Sequence, residues 1–155
     1  MLKQKVALIT GSTSGIGLAT AHVLAAQGIN LVLHGLMSAN EGEKLANELA
    51  EQYAIKVLFD NADLQNVERI KSLIDNAIKH MGRIDILINN AGIQHTESAE
   101  NFPLDKWNAI IAINLSAAFH TIQYSLPIMK GNGWGRIINV ASVHGLVGSV
   151  NKSAY

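Results

Sequence analysis

Short, uninterrupted apolar runs rich in Val, Ile and Leu alternate along this chain with longer segments whose apolar residues return at helical spacing. The runs at 6–10, 30–34, 56–59, 84–89 and 136–141 show no clean polar alternation. They are read as strands covered on both faces, the pattern of a parallel sheet. After the first, Ile16, Ala19, Thr20, Val23 and Leu24 make the i, i+3, i+4, i+7, i+8 stripe of a helix packed on a sheet, with Gly28 placed to end it. A second helix is expected over 39–53, with a capping box from Asn40 to Glu43 and an inner face of Ala46, Leu49, Ala50 and Tyr53. A third uses Val67, Ile70, Ile74, Ala77, Ile78 and Met81 before Gly82. Residues 107–129 carry no charged side chain, a length sufficient for a bilayer core of about 20 residues. Asn108, Asn114, Ser116, His120, Thr121, Gln123 and Ser125 would be costly in lipid, so this stretch predicts a helix buried between protein layers rather than a membrane span.

Right-handed crossovers turn that order of elements into an open, doubly wound α/β sheet. Ligands of such sheets bind at the carboxyl ends of the strands, where the strand order reverses. No repeat, low-complexity run or linker divides the 155 residues, so one domain spanning 1–155 is expected. Twelve Lys and Arg against 12 Asp and Glu leave a net charge of zero and a pI near 7.0. Such a chain has no basic field to collect nucleic acid or an anionic membrane, which leaves small molecules and other proteins as partners. The absence of cysteine and of a signal-peptide pattern predicts a cytoplasmic protein. No His, Asp and Glu grouping has metal-ligand spacing, so no catalytic metal is expected.

Chemistry concentrates first at Gly11-Ser12-Thr13-Ser14-Gly15-Ile16-Gly17, which lies between a strand and an amphipathic helix. Gly11 suits a tight turn, Gly15 lets a pyrophosphate approach the main chain, and Gly17 lets the helix lie close. The first helical turn would offer its amides and the positive end of its dipole to the phosphates. No Lys follows the last glycine, which argues against a triphosphate loop.

The spacing of these three glycines resembles the short-chain dehydrogenase/reductase family. Asn89-Asn90-Ala91-Gly92 after the fourth strand, Asn114 in the long helix, Ser142 after the fifth strand and Tyr155 follow in the family's order. The resemblance implies a Rossmann-like sheet, truncated after its fifth strand, that binds a nicotinamide coenzyme through Gly11, Thr13, Gly15, Ile16, Gly17, Leu36, Asp63, Leu64, Asn90 and Gly92. Within that set, Asp63 would accept from the adenine amine, although a turn aspartate is the plainer reading of the residue alone. The segment His34-Gly35-Leu36-Met37 offers neither the acid that selects NAD nor the cation that grips the extra phosphate of NADP. Without a guanidinium or ammonium that phosphate has no strong partner, so NAD is expected.

A phenol, with an ordinary pKa of about 10, needs help to act as a base near neutrality. By resemblance Tyr155 is that base, Ser142 holds the reacting oxygen, and Asn114 supports a water relay. A second group, Gln94, His144 and Lys152, resembles the carboxylate-holding set of family members that oxidise (R)-3-hydroxybutyrate to acetoacetate, with Ser142 and Tyr155 at the oxygen on carbon three. Two potential cations and an amide suit a small acid's carboxylate. Taken alone, Lys152 reads as a solvated loop charge and His144 as a loop histidine; His22, His80, His95 and His120 are read as structural. An NADP-dependent 3-oxoacyl or other ketone reductase stays open, as does a noncatalytic nucleotide-binding or subunit-association remnant. The family also implies a homotetramer. Its lysine four residues beyond the tyrosine falls outside these 155 residues, and the fifth strand would be an open edge, so the isolated chain is expected to have little or no activity.

Overall fold

The computed structural model describes residues 2–155. Five strands form one parallel sheet: β1 (Val6–Ile9), β2 (Asn30–His34), β3 (Val57–Asp60), β4 (Ile86–Asn89) and β5 (Arg136–Asn139). Their spatial order is β3-β2-β1-β4-β5, as a doubly wound sheet requires. The register sets Leu8 beside Val32 on one side and Leu87 on the other.

Side chains of β1 alternate between two cores because successive strand residues point to opposite faces. Val6 and Leu8 join Ile70, Leu73, Ile74 and Leu87 in one cluster; Ala7 and Ile9 join Ala21, Ala25, Leu31 and Leu33 in the other. Helices α1 (Gly15–Ala26) and α2 (Ala39–Tyr53) cover the second face. The first is covered by α3 (Val67–Met81) and α5 (Ala117–Gly131).

Several local expectations shift. The buried face of α1 is Gly17, Ala21 and Ala25, whereas Ile16 and Val23 from the expected stripe are 70% and 64% exposed. Small residues bring the helix axis close to the sheet, and that gain outweighs burying the larger side chains of the opposite stripe. The capping box of α2 uses Ser38 and Glu41, two residues before the expected pair, since Ser38 accepts from the Glu41 amide and Glu41 returns a bond to the Ser38 amide. Helix α3 is capped by Asn66 and ends at Gly82. Two strands are not covered on both faces: β3 is half-buried, and β5 is exposed along its whole length, with β4 its sheet neighbour on one side.

The long apolar stretch is one continuous helical run, Leu104–Gly131, of which α4 (Leu104–Ile110) and α5 are the ends. Residues Ile111–Ser116 between them wind as a π-helix. It is long and apolar enough to cross a membrane, and only 22% of its most apolar window is buried, so the expectation of burial between two layers is corrected. One face packs on α3 and β4 through Ala117, Thr121, Ser125 and Met129; Leu115 and Phe119 stand on the open face.

At the amino ends of the strands, away from the site described below, the inaccessible Asp85 carboxylate accepts from the Lys5 ammonium (3.2 Å), the Arg83 guanidinium (2.7 Å at Nε) and the Val6 amide (2.9 Å). Burial pushes this carboxyl up, but the bonds from Arg83, Val6 and Lys5 and the charge of Arg83 outweigh it and hold the group below its ordinary 3.8. A depressed folded value means stability that is present above the unfolded pKa and is lost as pH falls through the folded one. Asp85→Asn is expected to cost about 2–4 kcal/mol near neutral pH. The deficit should shrink in acid, where the wild-type carboxyl is protonated too. Urea denaturation of both proteins across pH checks this, and equal midpoints at neutral pH would refute it.

Candidate active site

β1 is flanked by β2 on one side and β4 on the other, so the chain's direction of progress through the sheet reverses between β1 and β4. Beyond Ile9 and Asn89 the two main chains diverge and open a cleft of about 280 Å³. Gly11, Thr13, Leu36, Asp63, Leu64, Asn90 and Gly92 all line it, together with Ile93 and Ile113. Gly15, Ile16 and Gly17 do not; they form the first turn of α1.

The glycine turn is held by residues about eighty positions away. Asn90 Nδ2 donates to the carbonyls of Thr10 (3.0 Å) and Gly11 (2.9 Å), and Thr10 Oγ1 accepts from the amides of Asn90 and Ala91 (both 3.0 Å). Gly11 has φ +62°, and a Cβ there would stand 2.9 Å from Ala91 Cα. At Gly17 a Cβ would stand 2.2 Å from the Gly11 carbonyl oxygen and 2.6 Å from Asn90 Nδ2. Its close approach is therefore to the turn and to Asn90, not to the strand. Asn90 reads correspondingly as a brace of the turn through its side chain, while Asn89 serves the sheet by donating to Asn139 Oδ1 (2.9 Å) and accepting from Thr121 (2.7 Å).

Helix α1 begins at Ser14 with no side-chain cap, whereas Ser38 and Asn66 cap α2 and α3. Its first turn also carries no acidic residue, so the amides and the dipole suit an external anion. At the opposite wall Leu36 is 72% exposed. Asp63 uses Oδ1 to accept from the Gln65 amide (2.9 Å), the plain turn role, while its position on the cleft is the one the coenzyme reading needs. The cleft lining contains neither Lys nor Arg.

Asn114 lies in the π segment, and both ends of its amide are engaged by one residue: Oδ1 accepts from the Ile93 amide (2.9 Å) and Nδ2 donates to the Ile93 carbonyl (2.8 Å). It thus positions the segment that leaves β4. Ser142 stands beyond the end of β5, where its Oγ accepts from the His144 amide (3.3 Å). The His144 and Tyr155 rings meet edge-on at 6.1 Å, and the Lys152 ammonium stands 5.5 Å from the Tyr155 ring centre. Lys152 also donates to Gln94 Oε1 (2.9 Å), so its charge is engaged rather than simply solvated. An isolated parallel β-bridge pairs the main chain at Glu97 with that at Lys152, and with the Glu97 amide donating to the Asn151 carbonyl (2.9 Å) it ties the two loops. Gln94, Ser142, His144, Lys152 and Tyr155 form one chain of contacts on the segments that follow β4 and β5. His22 pairs with the Tyr53 hydroxyl (3.0 Å) and His80 with the Asn76 carbonyl (2.9 Å), both structural partners.

Residues 5–155 match the family described as short chain dehydrogenase. The chain belongs to that family. It is 51% identical to the D-beta-hydroxybutyrate dehydrogenase of Cupriavidus necator, an alignment covering 100% of this chain and 59% of the relative. Among solved structures it resembles an NAD+-bound xylitol dehydrogenase, with a TM-score of 0.90, 31% identity, and coverage of 99% of this chain and 59% of the other. It also resembles an alcohol dehydrogenase from the archaeon Thermococcus sibiricus complexed with 5-hydroxy-NADP, with a TM-score of 0.91, 27% identity, and coverage of 97% and 63%. The chain therefore spans about three fifths of the length of the relatives it matches.

Three residues of this short-chain dehydrogenase site escape a reading of the sequence: Thr10, Ser12 and His34. All are buried polar groups at strand ends, 2%, 0% and 3% exposed. Buried polar atoms need partners. Ser12 Oγ donates to the Ile9 carbonyl (2.8 Å) and accepts from the His34 amide (2.9 Å). Their one sequence signal is polarity at the point where an apolar strand should still be apolar, and this does not reveal which distant group satisfies them.

Proposed function

We propose that the intact protein interconverts (R)-3-hydroxybutyrate and acetoacetate with NAD as coenzyme, and that this chain supplies the coenzyme cleft and the reacting side chains. The observation that carries the reading is the convergence, at one end of the sheet, of the switch-point cleft with its uncapped helix start and the Gln94–Lys152–Tyr155–His144–Ser142 contact chain.

The residues fit a nicotinamide dinucleotide. First-turn amides of α1 would take the pyrophosphate, Leu36, Asp63 and Leu64 the adenosine end, and Asn90 and Gly92 the other ribose. When bound, the nicotinamide ring supplies a hydride acceptor. The chain's own work is then proton transfer and orientation. Tyr155 Oη takes the hydroxyl proton as hydride leaves carbon three, and Ser142 hydrogen-bonds the same oxygen. Lys152, Gln94 and His144 hold the carboxylate, which fixes the carbinol hydrogen towards the cleft. Asn114 holds Ile93 and so the wall beside Gln94. It also borders a 40 Å³ polar pocket with Thr10, Asn89 and Asn139, with room for about one relay water. The lack of a cationic partner in the cleft supports NAD over NADP, and the open apolar face of the long helix supports homotetrameric assembly.

Steady-state rates of the intact protein decide the reading. The expected kcat/KM with (R)-3-hydroxybutyrate favours NAD over NADP by at least about tenfold, since an unpaired phosphate dianion loses a charge-assisted partner. Faster turnover of a bulky ketone with NADPH would overturn it in favour of a ketone reductase, and coenzyme binding without any turnover in favour of a noncatalytic role. A polypeptide confined to these 155 residues, assayed alongside, is expected to turn over slowly because β5 is an exposed edge.

A further inference from the structure

We propose that His34 is a positioning residue that locks the glycine turn and the adenosine-side loop together through a single neutral tautomer of its ring. The inference rests on the coenzyme reading of the cleft and adds a residue to it. His34 ends β2, directly behind the turn. Its Nδ1 accepts from the Gly11 amide (3.1 Å), so that nitrogen carries no proton. Its Nε2 lies 2.8 Å from the Ala62 carbonyl, which only accepts, so that nitrogen must carry one. The main chain of His34 is joined to the same turn: its amide donates to Ser12 Oγ (2.9 Å) and its carbonyl accepts from the Ser12 amide (2.7 Å). Ala62 directly precedes Asp63 and Leu64 on the cleft's other wall. One ring therefore spans both walls, with a donor on one side and an acceptor on the other.

The neutral ring satisfies both partners, and the imidazolium cannot. Protonation at Nδ1 would set a second donor against the Gly11 N–H and release the turn. The charged groups facing the ring are Asp60 at the end of β3 and Asp63 in the following loop. Among the described residues, Asp60 accepts from the Ala62 amide and from Asn76, and Asp63 from the Gln65 amide. Burial lowers the imidazole pKa below its ordinary 6.5, and it exceeds the opposing effects of the Ala62 bond and the two carboxylates. The turn is thus held above that lowered value and loosened as pH falls through it. Over the same window, from 6.5 downward, the unfolded chain binds the proton first, so stability also declines with falling pH.

The test uses the intact protein with its glycines isotopically labelled, followed by NMR from about pH 8 to about pH 5 without ligand, and then by NADH titration at both ends of that range. The Gly11 amide resonance should titrate with the His34 ring, and NADH affinity should fall as the ring takes up its proton, by up to roughly tenfold, one buried hydrogen bond's worth. His34→Asn keeps an acceptor near the Nδ1 position, gives up the bond to the Ala62 carbonyl and cannot titrate: it should bind NADH at about pH 8 within about tenfold of wild type and lose the pH dependence. His34→Leu, which loses both ring bonds, should bind at least roughly tenfold more weakly than wild type at about pH 8 and show no pH dependence, with its fold checked by circular dichroism. A Gly11 resonance indifferent to pH, or a pH-dependent His34→Asn, would overturn the role of His34. A titrating Gly11 in a protein that binds no NADH would instead overturn the coenzyme reading and leave the ring's structural lock standing.

Discussion

Tyr155→Phe is expected to lower kcat for 3-hydroxybutyrate oxidation by about a hundred- to ten-thousand-fold, the usual worth of a positioned acid–base group. Phenylalanine keeps the ring, so the edge-on contact with His144 and the position under the Lys152 ammonium survive. Only the oxygen that receives the proton is lost. Coenzyme affinity, which depends on the glycine turn and the cleft, should stay within about twofold because the removed atom does not contribute to that cleft. Steady-state kinetics and NADH fluorescence titration of the intact variant check both halves. A variant that retains more than about a tenth of wild-type kcat would remove Tyr155 from the chemistry, because a positioned acid–base group typically contributes about a hundredfold or more.

Gly17→Ala should damage coenzyme binding most among single-methyl changes in the turn. Helix propensity alone predicts that alanine inside α1 stabilises by about 0.8–1.0 kcal/mol. Packing predicts the opposite sign, since the new methyl would lie 2.2 Å from the Gly11 carbonyl oxygen and 2.6 Å from Asn90 Nδ2. Neither atom can retreat without breaking the 2.9 Å bond that joins them. A net loss of about 1–3 kcal/mol and a drop in NADH affinity of about tenfold or more are expected. Gly15→Ala is the control: its Cβ would meet nothing within 4 Å, and only the φ of +53° penalises it. Thermal denaturation and NADH titration of both variants provide the comparison. A Gly17→Ala protein more stable than wild type would show that propensity, not the close approach, governs this turn.

Much of this arrangement is legible in the residue order. The five strands were readable because their apolar runs are short, continuous and separated by helical spacing, and the glycine turn because it interrupts a strand-to-helix passage with residues that tolerate positive φ. The strand-end rule and the glycine turn pointed to Gly11, whereas Leu36, Asp63, Asn90 and Gly92 entered through the resemblance to the short-chain dehydrogenase family; all five line the cleft. Helix α1 shows where such reading fails. Two stripes compete on it, one of larger apolar residues and one of glycine and alanine, and only contact with the sheet decides that the smaller one turns inward. The π segment is a second case, because no local pattern announces the altered winding that brings Asn114 to Ile93.

The candidate proton-transfer group is what the family resemblance implies; by itself the sequence determined the α/β class, the order of elements and the position of the glycine turn. These depend on local periodicity and on residue chemistry, which are written in neighbouring positions. Tertiary structure alone decided which face of α1 is buried, how Asn90 braces the turn at Thr10 and Gly11 eighty residues away, which tautomer His34 adopts, and that Lys152 meets Gln94. Each of those is a hydrogen-bond or packing partnership between distant segments, and a buried polar group's partner is set by where the sheet places it rather than by what stands next to it in the chain.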